Sequence, residues 1–307
     1  MNALTPWTDP TWKARARLRV DEALDAVGRP RVGPAKARVL TGRSWIETLP
    51  TEAGILWIKH GYRLPPGEEQ ILEILTPRWP QQLPKVVTTW EGGVAMKALP
   101  GVVLPEDATA EVWASAATGL AELSVVESAH VPEWLEVGVR DRRPDMWQAA
   151  VLSLLQSQII ADLDDTVRLE FESFVPEFIS RYVDAFQGPP TLVHQDSGCC
   201  NIHITDAEPV FFDWADVIIG SPVFSCDRLL DKVPAPYQEA VIKAFLAPLN
   251  MEREDFNAMR RSNVLHEILR YHDELAFLIP GNETHTILAG AVKSQIENLT
   301  TFESGRR

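Results

Sequence analysis

The segment from Leu192 to Trp214 constrains the fold of this chain more than any other part of the sequence. It places Asp196, then Asn201 five residues later, and then Asp213 twelve residues beyond that, with apolar runs before and after them. Short apolar runs bounded by turn residues are typical of β-strands. The pattern therefore predicts a hairpin of short strands that holds these polar side chains at its ends.

Residues of these types suit phosphoryl transfer. That reaction needs a group that orients and deprotonates the acceptor hydroxyl, together with oxygen ligands for Mg²⁺, which keeps several waters and takes few protein oxygens. Asp196 on a tight loop can orient and deprotonate the acceptor hydroxyl, and the side-chain oxygens of Asn201 and Asp213 can bind the metal. The structural alternative is a buried hairpin with solvated aspartates at its turns, because isolated motifs do mislead.

The wider pattern resembles the aminoglycoside phosphotransferase family, whose members share the protein-kinase fold. That family shows His-Gly-Asp, then Asn, then an Asp-led pair and finally Gly-x-Pro. This chain has all of these between His194 and Pro222, except that Gln195 replaces the glycine. The resemblance covers most of the chain and is strongest over residues 192–222.

The resemblance implies a role for each residue of the motif. Asp196 is the implied base and orienter of the acceptor hydroxyl, and Asn201 and Asp213 are the implied Mg²⁺ ligands. His194 is implied to brace the loop through hydrogen bonds and not to act on substrate. His203, two residues after Asn201, is expected to pack on a strand.

The chain departs from the family at the residue that supports this loop. Relatives usually place an Asp there, whereas this chain has Ser225, and the nearest Asp is Asp227. A local shift could let Asp227 serve, so the support comes either from Ser225 or from Asp227.

Strand patterns fill the first third of the chain, and helix patterns fill most of the rest. The first part predicts a helix at 9–27, a three-stranded antiparallel meander at 37–40, 44–49 and 55–59, a helix at 68–75, and strands at 85–89 and 94–98. The second part predicts helices at 109–123, 147–158, 164–186 and from 227 onward, with short strands near 191–193 and 210–212. The layout predicts an α+β fold.

Together with the resemblance, this layout predicts a two-lobed protein-kinase-like fold with a small β-rich N-lobe and a larger helical C-lobe. Residues 1–34 are expected to form an N-terminal helical extension, and residues 35–98 the N-lobe with a nucleotide-binding sheet and a helix. Residues 99–307 are expected to form the C-lobe, with the catalytic loop and the acceptor-binding helices. The seam near residues 97–101 is where ligand sites are favoured.

The resemblance also predicts how the first lobe holds a triphosphate. A lysine on the third strand should bind the phosphates, and a carboxylate on the next helix should orient it. Lys59 ends the third strand, and Glu68 fits the register of the helix that follows, with Glu69 as the alternative. A lysine on a strand is often only solvated. The assignment of Lys59 to the phosphates therefore rests on its position before this helix.

The loop that covers the phosphates has fewer glycines than in protein kinases. Only residues 41–44, Thr-Gly-Arg-Ser, are available, so backbone amides, Arg43 or Ser44 are the candidates for phosphate contact. The resemblance implies that the adenine or guanine contacts the backbone from Lys97 to Leu99.

The acceptor pocket leaves two readings open. Residues 263–279 show an apolar stripe at helical spacing, interrupted by His272, with charged residues on the other faces. One reading is a core-facing helix with a solvated charged face. The other is that Glu267, Asp273 or Glu274 lines the pocket and binds ammonium groups, and Asp216 is a further candidate.

The composition excludes several classes of partner. The net charge of −14 argues against nucleic acid, whose phosphates require basic surfaces, and is compatible with a cationic small substrate. No apolar run is long enough for a membrane span, and no signal peptide is visible. The adjacent Cys199 and Cys200 suit neither a disulfide framework nor a zinc site and are expected to fill the loop. Because the cysteines suit no disulfide framework, the sequence indicates a reducing, cytoplasmic compartment.

The sequence thus predicts an ATP- or GTP-dependent phosphotransferase that uses Mg²⁺ and acts on a hydroxyl of a small molecule. A metabolic kinase for a sugar, amino alcohol, homoserine or macrolide is one alternative, and a catalytically silent nucleotide-binding protein is another. A protein kinase is disfavoured because no Ala-Pro-Glu segment follows Asp213.

Overall fold

A computed structural model describes residues 6–41, 43–61, 66–205, 208–278, 280–281 and 283–305. We call residues 36–97 the sheet region and residues 102–304 the helical region. Up to the end of the sheet region, the elements are α1 (Pro10–Ala26), β1 (Lys36–Leu40), β2 (Ser44–Thr51), β3 (Gly54–Gly61), α2 (Glu68–Arg78), β4 (Val86–Trp90) and β5 (Gly93–Lys97).

In its described residues, the helical region contains the remaining helices and six short strands, the first of which, β6, precedes its first helix. Its elements are β6 (Val102–Val103), α3 (Ala110–Glu127), α4 (Val131–Glu136), β7 (Arg140–Asp141), α5 (Pro144–Leu155), α6 (Gln158–Ala161), α7 (Asp165–Ala185), β8 (Thr191–His194), β9 (Ile202–Ile204), β10 (Pro209–Phe211), β11 (Val217–Gly220), α8 (Val223–Leu230), α9 (Gln238–Leu249), α10 (Arg253–Ser262), α11 (His266–Leu275) and α12 (Glu283–Ser304). The predicted α+β layout, with a small antiparallel sheet and a larger helical part, is confirmed.

The sheet region is one antiparallel sheet with the strand order β1-β2-β3-β5-β4, and helices cover its two faces. Successive side chains of a strand point to opposite faces. On β5, Ala95 packs in a cluster with Val20 and Leu24 of α1, whereas Val94 packs with Ile71 of α2. The same alternation sends neighbouring residues of β3 to opposite faces of the sheet.

The strands near the predicted motif pair differently from the expectation. Strands β9 and β10 form the hairpin, with Asn201 just before it and Asp213 just after it. Strand β8, which precedes Asp196, pairs antiparallel with β11, and β11 pairs in parallel with β7. Strands β6 and β7 were not predicted because two residues are too few to show a period, and β11 was not predicted either.

Two helices end at least three residues before their predicted ends. The helix expected at 147–158 ends at Leu155 and is followed by the separate short helix α6, while the helix expected at 263–279 is α11, which runs only from His266 to Leu275. Position 279 lies outside the described residues. Among the described residues, no helix has the length and apolar character that crossing a bilayer would require.

The close approach of the two regions depends on a glycine. Gly101 has φ of +73°, and a Cβ atom there would lie 1.9 Å from the carbonyl oxygen of Ile204. Only glycine tolerates both this backbone conformation and this contact. Gly101 therefore lets the chain leave the sheet region and pass directly against β9.

A buried carboxylate ties the end of α2 to the helical region. Glu127 of α3 is fully buried and accepts hydrogen bonds from Trp79 Nε1 at 2.8 Å and from Trp134 Nε1 at 2.9 Å. Arg78 Nη1 donates to the same carboxylate at 2.9 Å, and Arg78 also contacts Glu133. Since buried charges are stable only when they are paired and hydrogen-bonded, these contacts fix where α2 sits.

We expect Glu127→Ala to destabilise the protein by about 3 kcal/mol, because it leaves two indole N–H groups and a guanidinium without their acceptor. Urea denaturation followed by circular dichroism measures this. Glu122→Ala, on the exposed side of the same helix, is the matched control and should change stability by less than about 0.5 kcal/mol. Equal losses in the two variants would contradict the anchoring role of Glu127.

Candidate active site

A cavity of about 330 Å³ lies between the sheet region and the helical region, and we call it the main cavity. Lys59 and Glu68 line it from the sheet region, and Asp196, Asp213 and Asp216 line it from the helical region. These five residues, all singled out in the sequence, therefore share one cavity, although the first two are far from the other three along the chain.

Lys59 is the centre of this arrangement. Its Nζ lies 2.5 Å from Asp213 Oδ1 and 2.6 Å from Glu68 Oε2, and the side chain is buried. Burial alone would lower the pKa of Lys59, but the two carboxylates outweigh it and raise the pKa above its usual value. The amine therefore carries a positive charge at every physiological pH.

Glu68, rather than the alternative Glu69, is the partner of Lys59. Its other oxygen accepts a hydrogen bond from the backbone N–H of Trp214 at 3.1 Å, so Glu68 also contacts the segment that carries Asp213. Burial raises the pKa of Glu68, while Lys59 opposes that shift. Glu69 points elsewhere and accepts from the N–H of Gly92 at 3.0 Å.

Asp213 follows β10 with φ of 64° and ψ of 62°, a left-handed conformation that is uncommon for residues other than glycine. Asp tolerates this conformation better than most residues, but it still indicates a strained position of the kind found at functional sites. The positive charge of Lys59 lowers the pKa of Asp213, although burial opposes it. The backbone turn thus aims a stably ionised carboxylate into the main cavity.

Asp196 and Asn201 are joined directly. The amide Nδ2 of Asn201 donates to the backbone oxygen of Asp196 at 2.8 Å and to its Oδ2 at 2.9 Å. The Asn201 backbone oxygen accepts from the N–H of Phe212 at 3.1 Å, which places Asn201 beside the residue preceding Asp213. Because Nδ2 is used in this way, the side-chain oxygen of Asn201 is the atom left for a metal.

The loop at residues 195–200, which we call the Asp196 loop, is braced by His194 and Ser225. His194 Nε2 donates to the Phe212 oxygen at 2.9 Å, while Nδ1 accepts from the N–H of Asp196 at 3.2 Å. Burial lowers the pKa of His194, consistent with this neutral tautomer. Ser225 Oγ accepts a hydrogen bond from the backbone N–H of His194 at 3.2 Å, and the backbone oxygen of Ser225 accepts one from Ser197 Oγ at 2.6 Å.

Among the described residues, Asp227 makes no hydrogen bond to the Asp196 loop. Its Oδ1 accepts from Arg260 Nε at 2.5 Å. Of the two residues left open by the sequence, Ser225 makes the contacts to the loop. Gln195, which replaces the usual glycine, donates from Nε2 to the backbone oxygen of Asp216 at 2.7 Å and so ties the loop to the segment after Asp213.

Two arginines beside Asp196 were not predicted. Arg228 Nε lies 3.3 Å from Asp196 Oδ1, and Arg270 Nη1 lies 3.6 Å from the same oxygen. Arg270 is buried and also faces Asp216 at 3.8 Å and Glu267 at 2.9 Å. The sequence offered one sign of this arrangement, because Arg270 follows the apolar Ile268 and Leu269 in α11. It does not show which carboxylates face that arginine.

Arg43 and Glu274 join the two regions across the main cavity. Arg43 Nη2 lies 2.5 Å from Glu274 Oε2, and Arg43 Nη1 lies 4.0 Å from Asp216 Oδ2. Burial, together with the negative charge of Asp216, raises the pKa of Glu274 to about 7. The expectation of a solvated charged face is wrong for Glu274, which is 3% exposed, and for His266, which is also buried.

The other acceptor candidates are engaged in ion pairs. Asp273 contacts Arg142 and lies 3.3 Å from Arg140 Nη1. Glu267 lies 2.9 Å from Arg270 Nη2. Of the three candidates on α11, Glu274 alone lines the main cavity as the structure describes it.

Several other predicted residues lie outside the lining of the main cavity. Lys97 is exposed and Leu99 is half-buried, and neither lines it. His203 lies on β9 as expected, with Nδ1 3.0 Å from the Pro100 oxygen. Cys199 is buried and Cys200 is exposed, and neither forms a disulfide. In the loop at 41–44, Thr41, Arg43 and Ser44 line the cavity, and position 42 lies outside the described residues.

Comparisons with known proteins agree with this geometry. Residues 66–260 match the family model of APH, described as the phosphotransferase enzyme family. The fold is similar to a macrolide 2′-phosphotransferase from Brachybacterium faecium, with 15% identity, a TM-score of 0.66, and coverage of 89% of this chain and 97% of that one. Comparison with curated proteins by sequence gives no match.

Two further solved structures share the fold. One is an aminoglycoside 2′-phosphotransferase in complex with GDP, with 13% identity, a TM-score of 0.62, and coverage of 92% of this chain and 98% of that one. The other is a choline/ethanolamine kinase family protein from Mesorhizobium loti, with 14% identity, a TM-score of 0.62, and coverage of 94% of both chains. These similarities confirm the predicted protein-kinase-like fold.

The buried Glu274 should make stability depend on pH. Its folded pKa of about 7 lies above the ordinary value of 4.5, so the stability it contributes is present at low pH and is lost as the pH rises through 7. Relative to Glu274→Gln, which cannot ionise, the wild type should lose about 1–3 kcal/mol between pH 5 and pH 8. Urea denaturation at both pH values measures the difference.

Glu136→Gln makes the same chemical change at an exposed position and is the matched control. Glu136→Gln should lose stability between pH 5 and pH 8 as the wild type does, whereas Glu274→Gln should lack the part of that loss that Glu274 causes. A loss in Glu274→Gln as large as in the wild type would contradict the role of burial at Glu274.

Proposed function

Since the chain belongs to the phosphotransferase enzyme family APH, we propose that it moves the γ-phosphoryl group of ATP or GTP onto a hydroxyl of a small molecule. The small-molecule kinase class follows from the family. The observation that carries the finer proposal is the convergence of Lys59, Glu68, Asp196 and Asp213 on one cavity.

We assign the phosphates to the sheet-region side of the main cavity. Lys59 is a permanent positive charge there, and Glu68 holds its amine in place from α2. Arg43 and Ser44 line the same side, so they are placed to contact the outer phosphates. We expect the purine to contact the backbone near Lys97 and Leu99, where the two regions meet.

Magnesium fits the donor set at the other wall. Asp213 lines the main cavity with a stably ionised carboxylate, while Asn201 lies outside its lining, hydrogen-bonded to Asp196, and offers its side-chain oxygen from there. Mg²⁺ requires few protein oxygens because it retains water. No group of three or more His, Cys, Asp or Glu side chains among the described residues could hold a metal ion, so the proposed pair would bind it together with the phosphates. Bound there, Mg²⁺ would neutralise charge on the phosphates.

Asp196 is the proposed base and orienter of the acceptor hydroxyl. Asn201 holds one of its oxygens, and the bracing of the loop by His194 and Ser225 limits its movement. Such positioning supplies much of the catalysis in phosphoryl transfer, which requires little covalent work from the protein. Asp216 and Glu274 line the same cavity and would favour an acceptor with a cationic group.

We propose the division of the chain that the sequence suggested. Residues 1–34 form the N-terminal extension, residues 35–98 the nucleotide-binding lobe, and residues 99–307 the lobe that binds the acceptor. The alternative acceptors are a sugar, an amino alcohol, homoserine and a macrolide.

One observation favours a catalytically silent nucleotide-binding protein as the second candidate. Both carboxylate oxygens of Asp196 already face partners: Oδ2 accepts from Asn201, and Oδ1 faces Arg228 and Arg270. A base engaged in this way must release a guanidinium before it can reach a hydroxyl. Transfer activity decides between the two candidates.

A coupled assay of ADP or GDP release across an acceptor panel tests the proposed function. With an acceptor found, Asp196→Ala should lower its turnover by about 10²–10⁴-fold, because general-base catalysis and positioning are lost, while nucleotide binding survives. The exposed Asp107→Ala is the matched control and should keep full activity. Unchanged turnover in Asp196→Ala would refute its role, and Mg-nucleotide binding without transfer to any acceptor would favour the silent protein.

The proposed metal role of Asp213 has its own test. Isothermal titration calorimetry with ATP and GTP, with and without Mg²⁺, should show that Mg²⁺ strengthens binding to the wild type. Asp213→Ala should lose at least tenfold in affinity in the presence of Mg²⁺, about 1.4 kcal/mol. Asp216→Asn, in the same cavity, should retain the effect of Mg²⁺, and equal Mg²⁺ dependence in wild type and Asp213→Ala would count against the assignment.

A further inference from the structure

A second cavity lies on the opposite face of the sheet from Lys59, and we call it the aromatic hollow. Its volume is about 300 Å³. It lies between the N-terminal extension and the sheet, and its walls include the rings of Trp7, Trp12, His60 and Trp90. Because side chains alternate along β3, His60 faces this hollow while Lys59 faces the main cavity.

The rings of the hollow form a connected aromatic wall. The centroid of His60 lies 4.6 Å from that of Trp45, with which it is stacked, 6.0 Å from that of Trp12 and 5.8 Å from that of Trp90. A Cβ atom on Gly93 would lie 2.5 Å from the ring of Trp90, so the absence of a side chain at Gly93 makes room for this ring. The rings of Trp12 and Trp90 are inclined to that of His60 by 74° and 60°, and the ring faces and edges around the hollow favour an aromatic ligand, which can stack on a ring or meet it edge to face.

His60 gives the hollow a buried polar group. The residue is 1% exposed, and its Nε2 makes no hydrogen bond with any described residue. The nearby Glu47 Oε1 lies 3.6 Å from this nitrogen, beyond hydrogen-bonding distance. A buried polar side chain without a hydrogen bond is costly, and the polar group nearest to this nitrogen is the carboxylate of Glu47, which does not line the hollow.

The charge around the hollow is positive, although the chain as a whole carries −14. Residues 10–20 contain four basic residues and no acidic one. Arg19 lines the hollow, and an adjoining depression is lined by Arg15, Arg19, Trp12 and Ala16. Both arginines are exposed, so they are free to fold over a ligand.

These charges exclude a cationic ligand, which an aromatic wall alone could accept. Lys13 Nζ and Arg17 Cζ already lie 5.6 Å and 5.4 Å from the centroid of Trp45. Arg17 also faces the buried Glu47 at 3.6 Å, and Glu91 is the acidic residue on the wall of the hollow. Over the hollow and the adjoining depression together, Arg15 and Arg19 outnumber Glu91, so the local charge disfavours a bound cation.

We propose that the aromatic hollow is a second ligand site that binds a small planar aromatic anion, such as an aromatic carboxylate. The rings of Trp12 and Trp90 stack on the ligand, and Arg15 and Arg19 bind its acidic group, since the guanidinium fork matches a carboxylate. The volume is at the lower end for small-molecule sites, so one or two fused rings are the size that fits. This site does not depend on the reaction proposed for the main cavity.

Naphthalene-2-carboxylate is the probe for this site. Isothermal titration calorimetry should show one bound molecule per chain, and the neutral naphthalene-2-carboxamide should bind at least tenfold more weakly. In ¹⁵N spectra of tryptophan-labelled protein, the indole N–H signals of Trp12 and Trp90 should shift, whereas that of Trp214, on the far side of the sheet, should not.

Variants separate the charge from the stacking. The double variant Arg15→Gln/Arg19→Gln should weaken binding of the carboxylate at least tenfold, and Trp12→Leu should do the same. Lys36→Gln, which removes one exposed positive charge outside the hollow, should bind as the wild type does. The arginine variant keeps the test valid if Trp12→Leu fails to fold, because both arginines are exposed.

Four results would overturn the proposal. One is the absence of binding by the carboxylate, and another is equal binding of the carboxamide. The third is binding that shifts Trp214 but neither Trp12 nor Trp90, and the fourth is binding that persists unchanged in the arginine variant.

Discussion

The ion pairs of Lys59 are the interaction on which the arrangement of the main cavity depends. A buried ammonium group is costly unless carboxylates compensate for its lost hydration, and here Asp213 and Glu68 both lie within 2.6 Å of it. The three residues come from β3, from α2 and from the turn after β10. One buried charge thus joins the sheet, its helix and the helical region at a single point.

The same rule holds at the other contacts between the two regions. Glu127 accepts hydrogen bonds from two indole N–H groups and from Arg78 at the end of α2. Arg43 forms an ion pair with Glu274 across the main cavity. Apolar packing also joins the regions, since Ile71, Leu75 and Val94 belong to the same buried cluster as the core of the helical region. Around the cavity itself, paired polar groups set how the regions meet. Directional contacts suit this purpose, because apolar contacts are non-directional and would tolerate sliding.

The residues of the proposed site were largely predictable, and their partners were not. Asp196, Asn201 and Asp213 stand in a recognisable spacing, and Lys59 and Glu68 follow strand and helix patterns that a single sequence shows. The pairing of β8 with β11 was missed because a four-residue strand has no period to detect. The burial of Glu274 was missed because helical spacing identifies an apolar face and says nothing about what packs over the remaining ones.

The sequence by itself determined the α+β layout, the strands and helices of the sheet region and the set of polar residues proposed for chemistry, because these depend on local periodicity and on residue type. Only the tertiary structure decided that Glu68 and not Glu69 meets Lys59, that Ser225 and not Asp227 contacts the Asp196 loop, and that Arg228 and Arg270 stand beside Asp196. It also decided that His60 and Lys59, neighbours in sequence, face separate cavities. Hydrogen bonds and ion pairs between residues far apart in the chain depend on distances of a few ångströms, and those distances exist only once the regions have packed together.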